Sequence, residues 1–181
     1  DHLSVINTEE DVKNVEAILK GRMNFKREDI PQQFEQSLKQ CFCWVISSHG
    51  NISVGNSSPK AFALNNQIYL EDELVRMCTR VSKGHGKGKL QIVFLNACGE
   101  MKSNLAERLS KVANIPFVVY WKTKCLSEVC PIILKVFFQV FVDHYLSRKN
   151  TTFCVQDAFE RAKDFVTKIY HEDKDGQLNH V

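Results

Sequence analysis

The chain has 181 residues, 44% of them apolar and 25% charged, which is the composition of an ordinary soluble globular domain with enough material for a core. The formal net charge of +3 is too small to predict nucleic-acid binding. The longest apolar run, 131–142, is interrupted by Lys135 and Gln139 and is too short to span a bilayer, so it predicts a buried helix and no membrane. No repeat is visible, and residues 1–181, with a polar tail at 170–181, are predicted to form one domain.

The seven cysteines are odd in number and form no repeated CxxC pair, which favours neither a disulfide framework nor a zinc site. Free thiols are typical of a reducing compartment, and we therefore expect a cytoplasmic protein. Three glycosylation sequons begin at Asn51, Asn56 and Asn150. Two of them follow His49 closely, where a glycan would cover a candidate site, so all three are interpreted as chance matches.

Apolar patterns predict an alternation of strands and helices along the chain. After a strand at 3–7, Thr8 is expected to cap an amphipathic helix that ends at Gly21. Further strands are predicted at 23–25, 41–48, 92–95 and 115–121, with a surface hairpin between 51 and 70. Further helices are predicted from Asp29, from Leu70, from Ser103 to Ala113, over about 131–146 and around 155–166. This order predicts a three-layer α/β fold with a mostly parallel central sheet flanked by helices.

Two of the apolar strands end in a chemically reactive side chain. The run CFCWVISSHG (41–50) ends in His49, and the run QIVFLNACGE (91–100) delivers Cys98. Taken singly, a strand-end cysteine or histidine is more often a structural residue. Chemistry collects outside the carboxyl ends of parallel strands, however, so the thiol and the imidazole are expected to emerge side by side. Each is followed by glycine, which lets a substrate approach the backbone closely.

The motifs SSHG and NACGE resemble those of the caspase-type cysteine peptidases, in which about 50 residues separate the histidine from the cysteine. Asn96 stands where caspases carry glutamine, and Glu100 replaces their last glycine. The chain is similar to one branch of these proteins, the CHAT domains, over residues 61–74, 105–123, 136–141 and 155–162. Ser127 stands where many CHAT domains carry aspartate. The resemblance covers about residues 40–166 and implies a caspase-like fold.

The resemblance implies a cysteine endopeptidase that cleaves protein or peptide substrates. Cys98 would attack the scissile carbonyl, and His49 would act as general base and then as general acid. The backbone N–H groups of Gly50 and Cys98 would stabilise the oxyanion. No metal or organic cofactor is needed, and the expected partners besides the substrate are regulatory domains of a larger parent protein. Substrate contacts are expected from Trp121, Lys122 and Thr123.

Charged residues near the motifs predict substrate preference in two opposite directions. Lys122 and Lys124 would favour an acidic residue before the scissile bond. A basic residue there would be favoured by Glu71, Asp72 and Glu100. Residues 99–120 are taken up by a predicted helix and the start of a strand, so no internal cleavage is expected there.

The alternative function is that of a catalytically inactive caspase-like domain, used as a protein–protein interaction module. The presence of both His49 and Cys98 argues against it, because an inactive copy has no chemical reason to retain them. A flavodoxin-like binding domain would need phosphate-binding glycines after the first strand, and the segment INTEED (6–11) has none.

Overall fold

The computed structural model describes residues 8–24, 34–53, 60–64, 67–83, 90–98, 104–121, 128–172 and 178–180. These residues fall into two compact units. The sheet unit comprises residues 28–124, and the helical unit comprises residues 1–27 together with 125–181. The strand predicted at 3–7 lies outside the described residues.

The described elements alternate between helices and strands along much of the chain. The helices are α1 (Thr8–Leu19), α2 (Phe34–Leu38), α3 (Glu71–Lys83), α4 (Leu105–Lys111), α5 (Val129–Leu146) and α6 (Thr151–Ile169). The strands are β1 (Cys43–Ser53), β2 (Lys60–Leu64), β3 (Gln67–Leu70), β4 (Ile92–Cys98), β5 (Phe117–Tyr120), β6 (Tyr170–Glu172) and β7 (Leu178–His180).

The sheet unit is built on a five-stranded sheet with the order β3-β2-β1-β4-β5. Strands β1, β4 and β5 are parallel, with Cys43 opposite Ile92 and Ile92 opposite Phe117. They coincide with the three near-continuous apolar runs of the sequence, although only β4 is buried on both faces. The mixed α/β class predicted from the sequence is therefore confirmed, with a parallel part of three strands.

A β-hairpin extends this sheet on the side of β1. Strand β2 pairs antiparallel with β1 and with β3. The hairpin predicted between residues 51 and 70 is thus present, but it belongs to the central sheet and is not a separate surface excursion. Its pairing also explains why β1 reaches Ser53 and does not stop at residue 48, because the last residues of β1 have β2 as a partner.

One face of the sheet packs against the helices of the sheet unit. Alternate residues of the strands, among them Ile46 and Val93, join one buried cluster with residues of α2, α3 and α4. Leu74 of α3 and Leu105 of α4 are fully buried in that cluster. Burial of one such side chain is worth about 1.5–3 kcal/mol. The residues of β4 that alternate with this face are buried as well, with Phe94 only 2% exposed.

The helical unit is organised around α5, which packs against both α1 and α6. In α1, the predicted apolar stripe is buried at Val15 and Leu19. The chain then turns at Gly21, whose φ of 72° lies in the left-handed region that favours glycine after a helix. In α6, Cys154, Val155, Ala158, Ala162 and Val166 are buried.

Helix α5 has 18 residues, which is longer than the apolar run from which it was predicted. Among the described helices, it is the one that is long and apolar enough to cross a membrane by length and composition. Half of it is buried inside the structure, and the core helix of a soluble protein meets the same test. Residues 131–142 alone are too short to span a bilayer, whereas the complete helix is long enough.

Three local predictions are corrected by the structure. Met23 and Asn24, predicted to begin a strand, form no strand. The N-cap of α4 is Asn104 and not Ser103, and its side chain makes no capping hydrogen bond. Two short antiparallel strands, β6 and β7, lie in the part of the sequence that reads only as a polar tail. Strands β6 and β7 pair with each other as a short hairpin, which no apolar pattern in this polar segment indicates.

Candidate functional site

The backbone brings the two sequence motifs together. His49 of β1 and Cys98 of β4 are partners in the register of these two parallel strands. Cys98 is the last residue of β4, so the pair lies at the carboxyl end of that strand. Neighbouring strands are about 4.8 Å apart. The main chains of His49 and Cys98 are therefore adjacent, as the sequence predicted, whereas their side chains lie outside the described part of the structure.

The pairing of β1 with β2 is irregular directly after His49. His49 lies opposite Ala63 and Ile52 lies opposite Ala61, so two residues of β1 face one residue of β2. The extra residue belongs to the segment Gly50–Asn51. Such a β-bulge leaves backbone groups out of the ladder, and bulges are frequent beside functional sites. Gly50, one of the predicted oxyanion donors, lies in this interruption.

Asn96 and Trp121 form the described side-chain contact closest in sequence to Cys98. The indole Nε1–H of Trp121 donates a hydrogen bond of 3.0 Å to Asn96 Oδ1. Asn96 is 1% exposed, while Trp121 is partly exposed. Asn96 is two residues before Cys98 in β4, and Trp121 directly follows β5.

The thiols that the structure describes differ in kind from a reactive nucleophile. Burial raises the pKa of the Cys41 thiol to about 11 and that of the Cys78 thiol to about 12. Burial also raises the pKa of Cys43 well above its usual range. The reactive form of cysteine is the thiolate, so thiols that stay protonated at neutral pH are poor nucleophiles. We interpret these three cysteines as structural.

Asp72, one of the acidic residues considered for substrate preference, already has a partner. It forms an ion pair with Arg108 of α4. Nearby, Glu73 Oε2 accepts a hydrogen bond of 2.9 Å from the backbone N–H of Leu70, which joins β3 to the first turn of α3. Glu71 is 8% exposed. Burial of Glu71 and pairing of Asp72 both weaken the expectation that this segment selects a basic substrate residue.

Several predicted site residues lie outside the described residues. Among the expected substrate contacts, Trp121 is described. The structure does not describe Glu100, Lys122, Thr123, Lys124 and Ser127, nor the glycine that follows Cys98.

Sequence reasoning named Asn96 only as a departure from the caspase pattern and missed its bond to Trp121. A signal for it does exist, because a lone amide in an apolar strand needs a hydrogen-bond partner once it is buried. The identity of that partner, which is 25 residues away, follows only from the pairing of β4 with β5.

An open depression of about 300 Å³ lies between α4 and β5. None of the predicted site residues lines it, and its lining consists of Ala106, Glu107, Ser110, Lys111, Val118 and Tyr120. Among the described residues, no group of three or more His, Cys, Asp and Glu side chains could hold a metal ion.

The fold and the site define a mixed α/β protein in which the histidine of β1 and the cysteine that ends β4 are partners in two parallel strands. No family model matches the chain, and no curated protein matches it at a significant level.

Proposed function

We propose that the chain is a cysteine endopeptidase with a caspase-like fold, in which Cys98 is the nucleophile and His49 is its acid–base partner. The observation that supports this proposal is the register of β1 and β4, in which His49 is opposite Cys98. A thiol and an imidazole on neighbouring strands are within reach of each other. Such a pair is what nucleophilic catalysis by a thiol requires.

In the proposed reaction, His49 accepts the proton of the Cys98 thiol, and Sγ forms a bond to the scissile carbonyl carbon. The carbonyl oxygen becomes an oxyanion. When the C–N bond breaks, the imidazolium gives its proton to the leaving amine, and an acyl-enzyme remains. Water, which gives a proton to His49, then attacks the acyl carbon. The carboxylic acid product and the Cys98 thiolate separate, and His49 returns the proton to the thiolate.

The proposed donors to the oxyanion are the backbone N–H groups of Gly50 and Cys98. The irregular pairing after His49 supports this role for Gly50, because a bulge removes backbone groups from the ladder. Loss of one such donor typically lowers the rate by ~10²–10³-fold. A flexible glycine at this position also lets the scissile peptide approach the main chain closely.

The proposal includes a three-layer fold, cytoplasmic location and protein or peptide substrates. Burial of both faces of β4 supports helical layers on each side of the sheet, since Val93 and Phe94 are consecutive and both buried. The free thiols of Cys41, Cys78 and Cys154 support a reducing compartment. Regulatory domains of a larger parent protein remain the proposed partners.

The test is labelling of the purified chain at neutral pH with a pool of peptide acyloxymethyl ketones, followed by intact mass spectrometry and peptide mapping. We expect a single adduct on Cys98 and cleavage of members of a peptide library. The Cys98→Ala variant should lose both. Cys154→Ala is the matched control and should retain both, because Cys154 is buried and burial raises the pKa of its thiol.

The same experiment distinguishes the peptidase from the alternative function, an inactive interaction module. A folded chain that forms no adduct on Cys98 and cleaves no peptide of the library would contradict the peptidase proposal. It would leave the interaction module as the better description. An adduct that persists in Cys98→Ala would instead assign the nucleophile to another cysteine.

A further inference from the structure

A side-chain hydrogen bond joins β4 to the residue that follows β5, with Trp121 Nε1–H as donor and Asn96 Oδ1 as acceptor. We propose that Asn96 is a positioning residue, which holds the Trp121 indole in one orientation as a wall of the peptide-binding site beside Cys98. The inference rests on the proposed peptidase function. It assigns to Asn96 an indirect role in substrate binding, through Trp121, and no part in the chemical step.

The burial of Asn96 is unfavourable unless its amide is paired. Residues 92–96 of β4 are all buried, and Asn96 is the polar residue among them. A buried polar group without a partner costs about 1–3 kcal/mol. An apolar side chain would stabilise this position without needing a partner. A buried polar residue in an apolar strand departs from the local pattern, and such departures are expected at functional sites.

Trp121 does not depend on Asn96 to satisfy its indole N–H. The side chain is partly exposed, so water is an available acceptor. The main consequence of the bond is therefore the orientation of the ring, because a buried acceptor fixes the direction in which the N–H must point.

The bond also continues the connection between β4 and β5 beyond their backbone ladder. The last backbone partners are Leu95 and Tyr120. Asn96 and Trp121 form the next step, and their connection is made by side chains. Loss of this bond would free the indole at the point where pairing of the two strands ends.

The distance from Asn96 to the candidate nucleophile, Cys98, is comparable with the length of a short peptide. A strand rises about 3.3 Å per residue, so Asn96 and Cys98 are about 7 Å apart along β4. This separation is within the length of a short extended peptide, which advances by about the same amount per residue. A fixed indole offers a flat apolar surface, which favours a substrate with an apolar or aromatic side chain beside it.

Steady-state kinetics test the positioning role. Asn96→Leu removes the acceptor at similar volume, and Trp121→Phe removes the donor but keeps an aromatic ring. We expect each variant to raise KM about 3- to 10-fold, with kcat within about twofold, as for the loss of one hydrogen bond. The double variant should resemble either single variant, because both remove the same bond. Asn96→Gln, which keeps an amide, should restore most of the binding.

Thr79→Val is the structural control. Thr79 Oγ1 donates a hydrogen bond of 2.7 Å to the Val75 carbonyl within α3 of the same unit. Its loss should lower stability and leave KM unchanged. The positioning role is overturned if Asn96→Leu leaves KM unchanged, if kcat falls as much as KM rises, or if Thr79→Val has the same effect.

A second measurement reports the bond without catalysis. The chain has two tryptophans, so Trp44→Phe leaves Trp121 as the sole tryptophan, whose emission can be excited selectively at about 295 nm. In this background, Asn96→Leu should shift the indole N–H resonance of Trp121 and speed its exchange with solvent. Alkylation of Cys98 by iodoacetamide, which needs no peptide subsite, should keep its rate.

Peptide binding separates failure of this inference from failure of the proposed function. Pools of the same peptide library are added to a Trp44→Phe, Cys98→Ala chain, and Trp121 fluorescence is followed. If the wild-type chain cleaves nothing but peptides still change Trp121 fluorescence in an Asn96-dependent way, the peptidase proposal fails and the positioning role stands. If no pool changes the fluorescence, the positioning role is overturned, even in a chain that cleaves peptides.

Discussion

His49 and Cys98 are opposite each other on neighbouring parallel strands, and Cys98 is the last residue of its strand. The two motifs are far apart in sequence, and the sheet makes their main chains adjacent. Strand β4 is buried from Ile92 to Asn96, directly behind this edge, and ligands of open α/β sheets bind outside the carboxyl ends of the strands. The arrangement makes the dyad directly testable.

The two members of the dyad should act as one unit. We expect Cys98→Ala to abolish peptidase activity and His49→Ala to reduce it nearly as far, with little further loss in the double variant. The measurement is the turnover of a cleaved library peptide, with circular dichroism to check folding. Thr79→Val is the control, because it removes only a hydrogen bond within α3. Retention of substantial turnover by Cys98→Ala would show that the assignment of the nucleophile is wrong.

The active chain should be intact between Cys98 and Trp121. Helix α4 and strand β5 lie in this segment, and Leu105 and Leu109 of α4 are buried, so a cut there would expose core residues. We expect mass spectrometry of probe-labelled molecules to find one unbroken chain. Labelled molecules that are consistently split in this segment would instead indicate activation by internal cleavage.

Leu109 and Val112, two apolar residues of the helix predicted from Ser103 to Ala113, should differ sharply in their effect on stability. Leu109 is 1% exposed, whereas Val112 is 51% exposed and is therefore not part of the core. Leu109→Ala should lower the free energy of unfolding by about 2–5 kcal/mol, and Val112→Ala by less than about 0.5 kcal/mol. Urea unfolding followed by fluorescence of Trp44 and Trp121 measures both. Similar effects of the two variants would contradict the described packing.

The asparagine at the start of α6 should stabilise that helix. Asn150 Oδ1 accepts a hydrogen bond of 2.8 Å from the backbone N–H of Thr152, which caps the helix and gives a structural reason for this asparagine in one of the sequons. Asn150→Ala should cost about 1 kcal/mol, and Asn150→Ser should retain most of the stability. Asn104→Ala is the control, because the Asn104 side chain makes no capping bond at α4. Thermal unfolding followed by circular dichroism compares them.

The stability of the helical unit should depend on the charge of Asp157. Hydrogen bonds from His144 and Arg161, at 2.7 and 2.8 Å, lower the pKa of this carboxyl, with His144 as the larger cause. A lowered pKa means that the carboxylate stabilises the fold above its unfolded-state pKa of about 3.9, and that this contribution is lost as pH falls through the folded-state pKa.

Asp157→Asn should therefore lower the free energy of unfolding by about 1 kcal/mol at neutral pH, and the difference should shrink in acid. Asp164→Asn is the control, because Asp164 is exposed on the same helix. Urea unfolding at a series of pH values, followed by circular dichroism, provides the comparison. A difference between wild type and Asp157→Asn that is constant down to about pH 2 would contradict the assigned cause.

The sequence by itself determined the parallel strands, most of the helices and the positions of the two motifs. Continuous apolar runs predict β1, β4 and β5, because strands buried on both faces have no polar side to alternate with. Four-residue spacing predicts α1, α3 and α6 for a similarly local reason. The order of these elements then indicates which strand ends share an edge, so the meeting of His49 with Cys98 was predictable.

Only the tertiary structure decided how the hairpin, the irregular pairing and the Asn96–Trp121 bond are arranged. The pairing of β2 with β1 depends on backbone groups that every sequence carries, so apolar periodicity does not distinguish a surface hairpin from an extension of the sheet. The extra residue beside Gly50 follows from that register. The partner of Asn96 depends on where β5 ends beside β4, which is set by packing between distant residues and not by local preference.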